Sequence, residues 1–207
     1  MIGLLLIALA ILLAWFSVRR FHKQAKEDVT SPKASARLER LWQYVGEAWS
    51  AKRYLAAERA LLSILRIDHK NTAAYNRLGM LYARQQNFED AIECFDIASS
   101  LTPTISTLYN LGLVNYEFGN FDKAAAAFEK VIDLEPNIKR YMVYAKALEK
   151  IGEYKKVVDI IEKVAQADPT QAHLEMLAQA HEHTKHYDKA EDVRRQAAQL
   201  RASNSSQ

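Results

Sequence analysis

A single cysteine, Cys94, is all the thiol chemistry that 207 residues contain. One thiol excludes an internal disulfide framework and any zinc site built on paired cysteines. Glycine (6) and proline (4) are scarce too. Their scarcity disfavours a turn-rich all-β fold and suits helices. There is no glycine-rich phosphate loop, no nucleophile elbow and no HExxH motif. Nor is there a large excess of charge: 28 basic residues face 25 acidic ones, a net +3. A nucleic-acid surface would want basic residues massed on one face, so no nucleic-acid partner is expected. With no catalytic constellation, the expectation is a protein that is not an enzyme, takes no small-molecule substrate and uses no cofactor. What the chain does have is 49% apolar residues with 26% charged ones. That mixture builds a core and is not of the disordered type.

The histidines gather late, at His173, His181, His183 and His186. His181 and His183 are two apart and face different ways on a helix, while His183 and His186 straddle a turn. No metal site is expected. Cys94 abuts Phe95 and reads as a small buried residue.

The first eighteen residues read apart from the rest. Ile2 to Val18 carries no charge. Seventeen residues at 1.5 Å each make a helix of about 26 Å, close to the roughly 30 Å hydrocarbon core. Trp15, Phe16, Ser17 and Val18 end the run. They are too bulky for a signal-peptide cleavage site, so residues 1–18 are predicted to be an uncleaved transmembrane anchor. Arg19, Arg20, Lys23 and Lys26 follow directly. By the positive-inside rule the C-terminal part faces the cytoplasm. Residues 19–37 then read as a basic, polar juxtamembrane linker, broken by Pro32.

Beyond the linker the chain repeats itself. An aromatic column falls at Tyr54, Phe88, Phe121, Tyr154 and Tyr187, with intervals of 34, 33, 33 and 33. Three residues later stand Ala57, Ala91, Ala124, Val157 and Ala190; four further on stand Leu61, Phe95, Phe128, Ile161 and then Arg194. An earlier small column holds Val45, Gly79, Gly112, Ala145 and Ala178. Pro103, Pro136 and Pro169 close three of the units. Apolar spacings of three, four and seven are helical, and each unit fits two helices of about fourteen residues split by a polar turn. Small residues let two helix axes approach, bulky ones fill the space, and proline ends the second helix.

These columns resemble the tetratricopeptide repeat. Residues 75–103 match best, through Tyr75, Leu78, Gly79, Tyr82, Ala91, Phe95, Ala98 and Pro103. The unit at 105–137 has Asn115 where the first-helix tyrosine is expected, with Tyr116 beside it. The expected architecture is all-α: the transmembrane helix, then an α-solenoid of about five helix-turn-helix repeats over 38–202 (38–71, 72–104, 105–137, 138–170, 171–202), then a loose tail at 203–207. Arg194, Arg195, Gln196, Gln199 and Arg201 give the last helix the polar face that must close a solenoid. The order of anchor and repeats is similar to that of the bacterial lipopolysaccharide-assembly adaptors. Those also carry a cysteine-built zinc knuckle, which Cys94 alone cannot form.

The resemblance implies a concave groove lined by first helices, with a protein or peptide as partner. Its expected lining is Asn76, Met80 and Arg84; then Tyr109, Asn110, Leu113 and Tyr116; then Lys139, Met142 and Lys146. Trp42 and Trp49 in the first unit, Lys150 beside Lys146, and Glu175, Met176, Gln179 and His183 in the last unit are expected to face it as well. Aromatics supply contact area, methionine adapts, and lysine steers acidic partners. Asn110 and Lys139 occupy two places of the set with which some family members grip a C-terminal carboxylate. Trp42, Gly46 and Met80 stand at others, so no such clamp is expected. The functional expectation is a membrane-anchored scaffold that recruits its partner on the cytoplasmic side, in envelope or membrane-complex assembly. Two alternatives stand beside it: a periplasmic-facing protein assisting secretion or envelope assembly, and a self-associating structural scaffold.

Overall fold

The computed structural model of the chain describes residues 31–204. It is all-α, with ten helices among the described residues. They are α1 (Pro32–Ser50), α2 (Tyr54–Ile67), α3 (Thr72–Arg84), α4 (Phe88–Leu101) and α5 (Ile105–Glu117), then α6 (Phe121–Leu134), α7 (Ile138–Lys150), α8 (Tyr154–Ala167), α9 (Gln171–His183) and α10 (Tyr187–Asn204). The chain divides into two compact units at Leu78 and Gly79, within α3. In the first, α1 packs on α2. In the second, each helix from α4 to α10 packs on the next, which is the order of a solenoid. No described helix is long and apolar enough to cross a membrane. The expected anchor at 1–18 and most of the expected linker lie outside the described residues.

Helix ends follow the local sequence. Each of α4, α6 and α8 stops two residues before Pro103, Pro136 or Pro169. The intervening Thr102, Glu135 and Asp168 have ψ of 101°, 91° and 84°, away from helical values, as a residue before proline must be. Directly after each proline comes an N-cap. Thr104 and Thr107 form a reciprocal capping box, the Asn137 side chain accepts from the Arg140 amide at 3.0 Å, and Thr170 accepts from the His173 amide at 3.2 Å. After α2 there is no proline. Asp68 instead accepts from the Lys70 amide (3.2 Å) and the Asn71 side chain (2.8 Å), and Asn71 accepts from the Ala74 amide (3.0 Å).

Pro32 does not break a linker. It sits in the first turn of α1, where its missing amide costs nothing, behind Ser31, whose hydroxyl accepts from the Ala34 amide at 3.2 Å. Residues 32–37, expected in the linker, are therefore helical. At the other end α10 runs to Asn204, two residues past the expected close of the array.

The turn inside every hairpin needs one residue with positive φ. Lys52 (56°), Gln86 (60°), Gly119 (87°), Gly152 (79°) and Lys185 (62°) supply it. Only two of the five are glycines.

The core of the second unit rests on rings facing glycines. Phe95 and Phe128 are each 1% exposed. A Cβ built on Gly112 would lie 2.5 Å from Phe128 Cε1, and one on Gly79 would lie 2.9 Å from Phe95 Cε1. Around Phe128 are Ala124, Ala125, Tyr144, Ala145 and Leu148, all buried. Burial of each ring contributes about 1.5–3 kcal/mol. Phe128→Ala should therefore cost roughly 3–5 kcal/mol in denaturant unfolding. Gly112→Ala, which forces the ring out of its place, should cost about 1–3 kcal/mol. A loss below about 1 kcal/mol for Phe128→Ala would show that the ring does not hold the hairpin together.

Candidate partner-binding groove

In the second unit the expected groove residues fall on the end of α3, on α5 and on α7. Met80 is 41% exposed and Leu113 37% exposed. With Asn110 they line a slot of about 220 Å³, whose other walls are Ala83, Phe88, Phe95, Val114 and Glu117. Phe95 and Val114 in those walls belong with Ala91 to one buried apolar cluster. The slot forms because Gly79 lets Phe95 close against α3, and because Met80 and Leu113 face outward from their helices. Arg84, the last residue of α3, is exposed.

A second recess, of about 460 Å³, opens between the starts of α5 and α7. Ile105, Ser106, Tyr109, Glu135, Asn137, Lys139 and Arg140 line it. Arg140 is already engaged there: its guanidinium donates to the Glu135 carbonyl at 2.8 Å and meets the Glu135 carboxylate at 3.0 Å. Lys139 and Lys146 are exposed. The Lys150 ammonium lies over the Phe121 ring at 5.8 Å. Glu149 lies within reach of two of these lysines. Burial raises the Glu149 carboxyl above its ordinary range, while His183, Lys146 and Lys150 draw it back.

Several expected residues also make contacts within the hairpins. Tyr109 packs on Phe128 with ring centroids 5.8 Å apart, and Tyr116 meets Phe121 edge-on at 5.3 Å. Met142 and Met176 pack against the main core cluster. All four are half-buried, and Tyr109 also lines the second recess. Asn76 belongs to the first unit and is half-buried. Asn115 accounts for its own departure from the repeat pattern. It is 1% exposed, donates to the Leu111 carbonyl at 2.9 Å and accepts from Asn120 at 3.3 Å. It ties the end of α5 to the turn, and Tyr116 supplies the aromatic contact. Sequence reasoning missed Phe88, Glu117 and Phe118. Phe118 is 41% exposed and lies 5.9 Å from Phe88. Phe88 falls in a packing column, and Phe118 sits in no column.

The histidines serve four separate ends. His173 Nδ1 lies 2.8 Å from the Asp168 carbonyl. His183 stacks flat on Tyr154, 3.9 Å between centroids. His186 Nδ1 meets the Thr184 hydroxyl at 2.9 Å. His181 is 3% exposed, and its Nδ1 has no hydrogen-bond partner. Among the described residues no group of three or more ligating side chains could hold a metal ion. Cys94 is buried, and burial, then Glu93 and Asp90, push its thiol up to about 12. Burial and then Glu129 push Tyr144 to about 12 as well, and its hydroxyl donates to Glu129 at 3.2 Å.

Burial lowers the His181 pKa from 6.5; Glu162, at 3.8 Å, opposes this, while Lys189 and His186 add to it. The unfolded chain then binds the proton more readily than the native one. Stability should fall as pH drops below 6.5 and level off once the native value is passed. Melting temperature measured across this range should show that decline in the wild type and a flatter course in His181→Leu. Parallel profiles would assign the decline to other groups.

Residues 70–135 match the family model described as tetratricopeptide repeat. No curated protein sequence matches the chain. Solved structures of MamA share the fold. A crystal structure of MamA superposes with a TM-score of 0.72 at 19% identity, over 83% of this chain and 96% of that one. MamA of AMB-1 gives 0.70 at 18%, over 81% and 93%. MamA from Desulfovibrio magneticus RS-1 gives 0.67 at 16%, over 81% and 96%. At these identities the likeness is one of fold.

Proposed function

From a chain whose residues 70–135 are tetratricopeptide repeats, we propose a non-enzymatic scaffold that holds a protein or peptide along the first-helix face of its second unit. The observation that carries this is the apolar slot at Met80, Asn110 and Leu113, followed along the helices by the exposed Lys139, Lys146 and Lys150. An apolar side chain entering the slot covers Met80 and Leu113, and acidic residues beside it meet the lysines. The charge-free run Ile2–Val18 and the basic residues after it support an anchor at 1–18, with the repeats on the cytoplasmic side. The role that follows is recruitment of a partner to a membrane complex, with no reaction catalysed.

A photo-crosslinking residue at Leu113 should capture a defined partner in cells, whereas one at Leu134, 56% exposed on a second helix, should not. Lys146→Glu should weaken the Leu113 capture. Equal capture from both positions would move binding off this face. A reporter fused to the C-terminus should be active only in the cytoplasm; activity only outside it would reverse the orientation.

A further inference from the structure

We propose that the outer face of the first hairpin, α1–α2, lies on an anionic lipid surface. Two stripes carry the argument, each with the helical spacing i, i+4, i+7, i+11 that puts residues on one face. On α1 the stripe is Lys33, Arg37, Arg40 and Tyr44; on α2 it is Leu55, Arg59, Leu62 and Arg66. All eight side chains are exposed. The apolar members are open to solvent to an unusual degree: Leu55 is 68% exposed, Tyr44 42% and Leu62 41%. A recess of about 270 Å³ joins the stripes, with Tyr44 on its α1 side and Arg59 on its α2 side.

The charge is nearly all of one sign. Among the described residues, none of Lys33, Arg37, Arg40, Arg59 and Arg66 pairs with a carboxylate. Arg40 donates only to the Ala36 carbonyl of its own helix, at 3.3 Å. Glu39 lies off the stripes, and Glu58, half-buried, borders the α2 stripe three residues after Leu55. Glu47 comes two turns past Arg40, at the end where the Arg53 guanidinium sits 6.0 Å from the Tyr44 ring. Cations alternating with leucines, and a tyrosine at the rim, suit the boundary between headgroups and acyl chains. There the cations meet phosphate and the leucines leave water. A nucleic-acid backbone would use the cations and leave Leu55 and Leu62 in solvent. The same charge continues upstream through Arg19, Arg20, Lys23 and Lys26. Residues 19–31 can span at most about 45 Å, which keeps the hairpin within reach of the bilayer. That proximity rests on the anchor proposed above; the composition of the face does not.

The test uses the full chain, with an environment-sensitive dye on Leu55→Cys, in nanodiscs of phosphatidylcholine alone or mixed with phosphatidylglycerol. The native thiol is buried and does not compete for the label. The dye should report an apolar environment only in the phosphatidylglycerol discs, and high salt should reverse it. Arg37→Glu/Arg40→Glu/Arg59→Glu should lower the lipid-bound fraction about tenfold or more. If the triple variant melts early, the lipid and salt dependence of the labelled wild type decides alone. Equal dye signals in both lipids, or no response to charge reversal in a folded variant, would overturn the proposal. So would a DNA duplex that occupies the face in phosphatidylcholine discs with the same charge dependence. Retention of the chain in phosphatidylcholine discs through a high-salt wash tests the anchor separately. If the chain washes out, the anchor fails, and the same dye measured against added phosphatidylglycerol vesicles still decides the face.

Discussion

A phenyl ring lying where glycine omits its Cβ is the contact on which the second unit depends. Phe95 against Gly79 and Phe128 against Gly112 bring paired helices closer than any other residue at those glycines would allow. The rest follows from that distance. Small residues such as Ala124 and Ala145 are needed around the rings, and the next helix then has a buried surface to pack on. In such a stack each hairpin meets only its neighbours, so stability is a sum of local interfaces. The slot beside Met80 and Leu113 has Phe95 in its wall, so the surface available to a partner depends on the same ring.

Much of this was legible in the sequence because the constraints recur. A column of aromatic, small and bulky residues at intervals of 33 or 34 has no simpler account than stacked hairpins, and Pro103, Pro136 and Pro169 mark where second helices stop. What escaped was whatever one side chain decides alone. Pro32 is compatible with a linker or with a helix start, and only the hydroxyl of Ser31 distinguishes them. Asp68 and Asn71 end α2 by hydrogen bonds where a proline was the signal sought. On the expected groove, Tyr109 and Tyr116 have the spacing of exposed first-helix residues, but their rings reach Phe128 and Phe121. Spacing gives the direction of a Cβ; the length of an aromatic side chain decides where it ends.

The two units use their cations differently. On α7 the lysines share their surroundings with Glu149, whose burial holds a carboxyl among them, and Arg140 is taken up by Glu135. A partner bound there, as proposed above, would compete with acids already present. On α1–α2 Arg37, Arg40, Arg59 and Arg66 pair with no carboxylate among the described residues, and exposed Leu55 and Leu62 stand between those of α2. A net charge of +3 for the whole chain conceals this separation. Local sign and local apolar content, rather than the total, set what each surface can meet.

The hairpin turns have a bearing on kinetics. Each closes through one left-handed residue, and Gly119 and Gly152 adopt that conformation freely, while Lys52, Gln86 and Lys185 adopt it against the steric preference of their side chains. The two central turns are thus the ones that form at least cost in backbone strain. Where helices contact only their neighbours, assembly begins wherever closure is easiest and spreads outward. Residues 105–167 then become the nucleus, and the two ends are the last to order and the first to fray. Slow amide exchange in that span, with faster exchange toward α1 and α10, is the signature such a gradient would leave.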